Sequence, residues 1–139
     1  MAQPHFINAK GSIDNKGVLT VTFKEAGLGD NVLIDYTLSA SAMAVYQCVN
    51  NGGGCPQAAN KQTATGPVSS TGSFSSGKNG QVTASLQVSP PQVNPFCPNG
   101  QHQELLDVSY TGVTLKDDTN NVIISVSGTF SKTFNICKK

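Results

Sequence analysis

The feature that most constrains this chain is a two-residue alternation running from Ile34 to Cys48. Ile34, Tyr36, Leu38, Ala40, Ala42, Ala44, Tyr46 and Cys48 share one parity. Asp35, Thr37, Ser39, Ser41 and Gln47 take the other, with Met43 and Val45 as exceptions. Successive side chains of a strand point to opposite faces, so this pattern predicts one long strand with one buried face. The alanines at 40, 42 and 44 favour helix by intrinsic propensity. The parity of the flanking residues outweighs them, and the small residues mark where so long a strand bends.

Shorter segments repeat the pattern. Leu19, Val21 and Phe23 align, as do Val82, Ala84, Leu86 and Val88. Leu106, Val108 and Tyr110 form a face that switches to Val113 and Leu115 after Gly112, the signature of a β-bulge. Val122, Ile124, Val126, Gly128, Phe130, Phe134 and Ile136 share a parity broken only at Lys132, and read as one last strand. Three turns separate these runs: Asp14-Asn15-Lys16-Gly17, Gly77-Lys78-Asn79-Gly80 and the stretch Asp117 to Asn121. Asn79-Gly80 is a strong hairpin signal between Phe74 and Val82. Three hairpins and one lone long strand predict an all-β, antiparallel two-sheet sandwich, immunoglobulin-like, of about seven strands. No linker or repeat interrupts it, so residues 1–139 are expected to form a single domain.

Only 12% of the residues are charged and the net charge is +1. Disordered polyelectrolytes need more repulsion than this. All nine basic residues are lysines, scattered along the chain. The absence of arginine and of a basic stripe argues against nucleic acid as a partner. No apolar run reaches the roughly 20 residues of a bilayer-spanning helix. Met1-Ala2-Gln3-Pro4 reads as an initiator methionine placed before a mature exported sequence.

The four cysteines are Cys48, Cys55, Cys97 and Cys137. An even number in a small polar chain predicts two disulfides and an oxidising, extracellular setting. The C-x2-C spacing of a zinc site is absent. A last hairpin about Thr119 would bring Cys97 and Cys137 to one end of the fold. Geometry alone then permits Cys97–Cys137 with a local Cys48–Cys55 link.

Several segments resemble a group of small exported proteins of actinobacteria and fungi. They are Phe23-Lys24-Glu25-Ala26-Gly27-Leu28-Gly29, Tyr46-Gln47-Cys48-Val49-Asn50, Ala59-Asn60-Lys61, Gly77-Lys78-Asn79-Gly80-Gln81, Ser89-Pro90-Pro91 and Cys97-Pro98-Asn99-Gly100-Gln101. The resemblance runs from about Phe6 to Phe134 and brings no assigned activity. It implies export, a compact β domain, and the pairing Cys48–Cys97 with Cys55–Cys137. This chain departs from the pattern in carrying the second pair.

Chemistry-bearing groups are sparse. His102 and Glu104, two apart in a strand, share a face and can touch, but no G-x-S-x-G elbow accompanies them. A glycosidase needs two carboxyls across a cleft, and no spacing singles out such a pair. Asp117, Asp118, Asn120 and Asn121 offer oxygens, yet the alternating ligands, glycine and distal glutamate of an EF-hand are missing. A polar hairpin turn accounts for them. Tyr36 and Tyr46 fall on the core face, where a bonded hydroxyl is the rule. Lys24 and Glu25, at a strand end, read as solvated charges or as part of a recognition loop. No cofactor, metal or catalytic residue is assigned.

Residues 49–62 and 89–100 lack periodicity and carry glycines or prolines beside cysteines. Loops held on a rigid scaffold are where recognition concentrates. Asn50, Asn51, Gln57, Asn60, Lys61, Gln92 and Asn94 are therefore the candidate contact residues. The expected function is that of an exported, non-enzymatic binding or surface protein for a protein or glycan. A self-assembling extracellular β protein is the alternative, and a small secreted hydrolase stands behind both. The oligomeric state is not readable from the sequence.

Overall fold

A computed structural model describes residues 3–137. Met1 and Ala2, where a mature exported chain is expected to begin, lie outside the described residues, as do Lys138 and Lys139. Eight strands follow in order: β1 (His5–Ile13), β2 (Leu19–Ala26), β3 (Leu33–Asn50), β4 (Lys61–Ser75), β5 (Val82–Val88), β6 (Gln101–Asp117), β7 (Val122–Ser125) and β8 (Phe130–Thr133). One sheet has the order β1-β2-β5 and the other β4-β3-β6-β7, with β8 also paired to β6. Every pairing is antiparallel. The chain is an all-β sandwich.

The alternation of β3 is observed as a fully buried face. Ile34, Tyr36, Leu38, Ala44 and Cys48 expose nothing, whereas Met43 points outward. Leu19, Val21 and Phe23 of β2 meet this face in one core with Leu86, Val108, Tyr110, Val113 and Leu115. Each large apolar side chain so buried contributes about 1.5–3 kcal/mol.

The expected bulge lies in β6, where Gly112 and Val113 stand opposite Ala40 alone. Gly112 takes the left-handed conformation (φ 59°), which costs glycine little. The extra residue returns Val113 to the core. A second register shift places Asp107 opposite Val45 and Leu105 opposite Tyr46, leaving Leu106 unpaired with β3. Leu105, rather than the expected Leu106, therefore packs against the core.

Three expectations about connectivity are corrected. The long strand is not alone, because β3 pairs with β4 on one side and β6 on the other. The Asn79-Gly80 turn joins no hairpin, because β4 and β5 belong to different sheets. Gly77–Asn79 form a single 3-10 turn closed by left-handed Gly80, which arches across the sandwich. Left-handed chemistry marks a reversal but does not say which partner the returning strand takes. The predicted last strand is two short ones, β7 and β8, broken around Gly128 (φ 109°). The break seats the Phe130 ring over β1, where a Cβ added to Gly11 would lie 2.7 Å from Phe130 Cζ.

Candidate functional site

Strand directions sort the chemistry of the molecule into two ends. The end of β3 carries Gln47 and Cys48, and its start carries Tyr36. The first end holds both disulfides and both long loops. The second holds a buried carboxyl pair.

At the first end, Cys48 is joined to Cys97 and Cys55 to Cys137, which decides between the pairings that geometry had left open. The loops are also tied by hydrogen bonds. Asn51 N donates to Gly100 O (2.9 Å), linking one loop to the other. Cys48 N donates to Asn60 O (3.0 Å), and the Tyr46 hydroxyl to Pro91 O (2.8 Å). Gln103 Nε2 reaches Val93 O (3.4 Å). Asn51, Gln57, Asn60, Lys61, Gln92 and Asn94 are exposed and Asn50 is half-buried.

A groove of about 320 Å³ opens at this end, lined by Asn15, Lys16, Glu104, Leu105, Phe134, Asn135 and Ile136. Three segments build it: the β1–β2 turn, the start of β6 and the residues after β8. Leu105, Phe134 and Ile136 supply apolar lining, while Lys16, Glu104 and two amides supply polar groups. The seven contact residues expected from the loops do not line it. The groove residues were missed because three distant segments meet there, and the Asn15-Lys16 turn signals only a reversal. The parity of Phe134 and Ile136, and the position of Glu104 beside His102, were the available clues.

His102 and Glu104 do touch, with Nε2 to Oε2 at 2.6 Å. The other ring nitrogen, Nδ1, meets Asn51 Oδ1 at 2.8 Å. Both nitrogens are thus engaged, and neither is left to activate a hydroxyl. At the rim, Asp14 Oδ1 accepts from Lys16 N (2.8 Å) and Val18 N (3.0 Å). The Val18 and Lys16 amides hold the Asp14 carboxyl below its ordinary value. Beneath the groove, the Tyr110 hydroxyl donates to Gly17 O (2.6 Å), and burial pushes its pKa up to about 12. Burial likewise raises Tyr46.

The second end overturns one expectation outright. Glu25 is neither a solvated charge nor a loop contact, since it is 0% exposed within the core. It sits opposite Phe6 of β1 and Val82 of β5. Tyr36 Oη donates to its Oε1 at 2.6 Å. Asp117, also 0% exposed, is its other polar neighbour. Asp117 is the last residue of β6 rather than a turn residue, and its side chain closes the turn that follows by accepting from Asn120 N (2.8 Å) and Asn120 Nδ2 (2.9 Å). Burial, and then the nearby Asp117 carboxyl, push the pKa of Glu25 up to about 8. Two carboxyls do meet here, but neither reaches solvent, so they cannot grip a substrate. Among the described residues no cluster of three or more histidine, cysteine or acidic side chains is placed to hold a metal.

No protein-family model matches this chain, and no curated protein matches it. Two disulfides in a small β domain fit an extracellular protein. No helix among the described residues is long and apolar enough to cross a membrane.

Proposed function

We propose that this is an exported, non-enzymatic binding protein that uses its disulfide-tied end to hold a protein or glycan. The carrying observation is that both disulfides, both long loops and the groove lie at that end. Cross-links and hydrogen bonds hold the loops in place before a partner arrives, which lowers the ordering cost of binding. Exposed amides on the loops and a part-apolar groove suit a neutral, hydrogen-bonding ligand. The likeness to small exported proteins of actinobacteria and fungi supports the extracellular setting.

The strand order favours an immunoglobulin-like arrangement. It differs from the seven-strand constant type in placing the fourth strand beside the third and in splitting the last. Assembly through sheet edges has weaker support. The long edge strand β4 carries Lys61 at its start and Pro67 in its middle, the residues that discourage edge pairing. Hydrolysis has weaker support because His102 is held at both nitrogens.

A glycan array, with capture of extracellular proteins, tests this reading on the oxidised protein. Binding should be lost in a variant combining Lys16→Ala and Glu104→Ala, or in one combining Asn60→Ala and Lys61→Ala. Partner binding that survives both variants at full strength would overturn the assignment. Concentration-dependent growth in size by light scattering would favour assembly instead.

A further inference from the structure

The buried carboxyl pair has no role in the groove, which lies at the other end of the sandwich. Glu25 comes from the β1-β2-β5 sheet, while Tyr36 and Asp117 come from the β4-β3-β6-β7 sheet. Glu25 Oε1 has a donor in Tyr36. Glu25 Oε2 is buried and has none. Asp117, equally buried and the cross-strand partner of Tyr36, is the neighbouring carboxyl, and it has its own donors in Asn120. Two carboxylate oxygens can hydrogen-bond only when one carries a proton. Without it, two like charges would face each other away from water, which is costly on both counts.

We propose that Glu25 and Asp117 share one proton, and that this proton latches the two sheets together at the end remote from the disulfides. With the proton present, Glu25 donates through Oε2 to Asp117 and accepts at Oε1 from Tyr36, so one side chain bridges the sheets twice. Raising the pH removes the proton to solvent and leaves two facing carboxylates. This end of the sandwich then loosens while the disulfides hold the other. The groups acting on Glu25 are Tyr36 from β3 and Asp117 from β6; β1 and β5 bring only the apolar Phe6 and Val82 opposite it. His5, Asp35 and Asp118 nearby are exposed, and Lys24 beside it is half-buried. Among the described residues no basic side chain acts on Glu25, so none of them replaces the proton as counter-charge.

The sign follows from linkage. The folded state holds a proton on Glu25 that the unfolded chain releases near the ordinary value of 4.5, and keeps it until about 8. Stability from the latch is complete below the first value and is lost as pH rises toward the second. Denaturant unfolding of the full chain should therefore show an unfolding constant rising by up to about tenfold per pH unit across that window. Glu25→Gln keeps a donor and removes the titration. Its unfolding constant should be flat there, and the variant should be more stable than the parent at the alkaline side. Amide exchange should speed up with pH beyond the intrinsic rate near Glu25, Tyr36 and Asp117, but not near Cys48. If Glu25→Gln does not fold, infrared spectra of the parent decide. A protonated-carboxyl carbonyl band should persist at neutral pH in the folded protein and vanish in alkali. A parent whose stability is flat across the window, a Glu25→Gln slope equal to the parent's, or the absence of that band would overturn the proposal.

Discussion

The two ends of this sandwich are fastened by different chemistry. At one, covalent bonds Cys48–Cys97 and Cys55–Cys137 pin the loops that the β-ladders leave free. At the other, Phe6, Phe23, Tyr36 and Phe74 cluster, with Phe23 and Tyr36 rings 4.7 Å apart, around the buried acids. The first end has long connections and little regular structure, so cross-links replace packing. The second has a short arch at Gly77–Asn79 and an aromatic core, so packing suffices and a polar bridge is tolerated inside it. A covalent tie is indifferent to moderate pH, whereas a shared proton is not.

Breaking the disulfides should have the largest effect. They close loops of 49 and 82 residues, so chain entropy ranks Cys55–Cys137 slightly higher, each near ~4 kcal/mol. Burial ranks them the other way, because Cys48 is 0% exposed and Cys137 is exposed. We expect the Cys48→Ala, Cys97→Ala pair to cost about 4 kcal/mol and the Cys55→Ser, Cys137→Ser pair about 2 kcal/mol in denaturant unfolding. The reverse order would show that chain entropy, not local packing, governs this end.

A smaller loss is expected from Gly17→Ala. Gly17 has φ +81°, and an added Cβ would lie 2.6 Å from Leu105 Cδ2. Left-handed strain and the clash together should cost about 2 kcal/mol, read as a lower thermal midpoint. The groove should change with it, since Leu105 is one of its lining residues.

Acid should separate the ends by sign. Asp14 is held below its ordinary 3.8 by turn amides, so its contribution is present above that value and is lost as pH falls through the folded one. Asp14→Asn should remove part of the acid-side decline in stability while leaving the alkaline loss assigned to Glu25 untouched. A pH series of melting curves on both proteins measures this. If Asp14→Asn also altered the alkaline limb, the two ends would not be independent.

Glu104→Gln should have the smallest effect on folding. The His102–Glu104 pair is half exposed, with side chains 45% and 40% accessible, and such pairs contribute less than about 1 kcal/mol. A large loss of stability would mean that the rim of the groove supports the fold rather than a ligand.

The fold was legible wherever parity carried information. β3, β2 and the bulge at Gly112 follow directly from alternating apolar residues and one glycine. Pairing was less legible. β4, from Lys61 to Ser75, is rich in serine and threonine, so its inward positions are marked only by residues such as Val68 and Phe74. The candidate site was the least legible part. Asn15, Glu104 and Phe134 meet only because β1, β6 and β8 meet, and no local pattern announces that. Glu25 misled for a related reason. A glutamate at a strand end beside Lys24 reads as solvated, and only the partner strands supply the hydroxyl and the second carboxyl that let it stay buried.

By itself the sequence determined the period of the strands, the places where the chain must turn and the presence of two cross-links, because these depend on each residue and its near neighbours. The tertiary structure alone decided which strand lies beside which, where the groove opens and that two acids share a dry space. Those outcomes depend on side chains far apart in sequence competing to fill one core, and alternation along a strand does not encode the identity of what faces it.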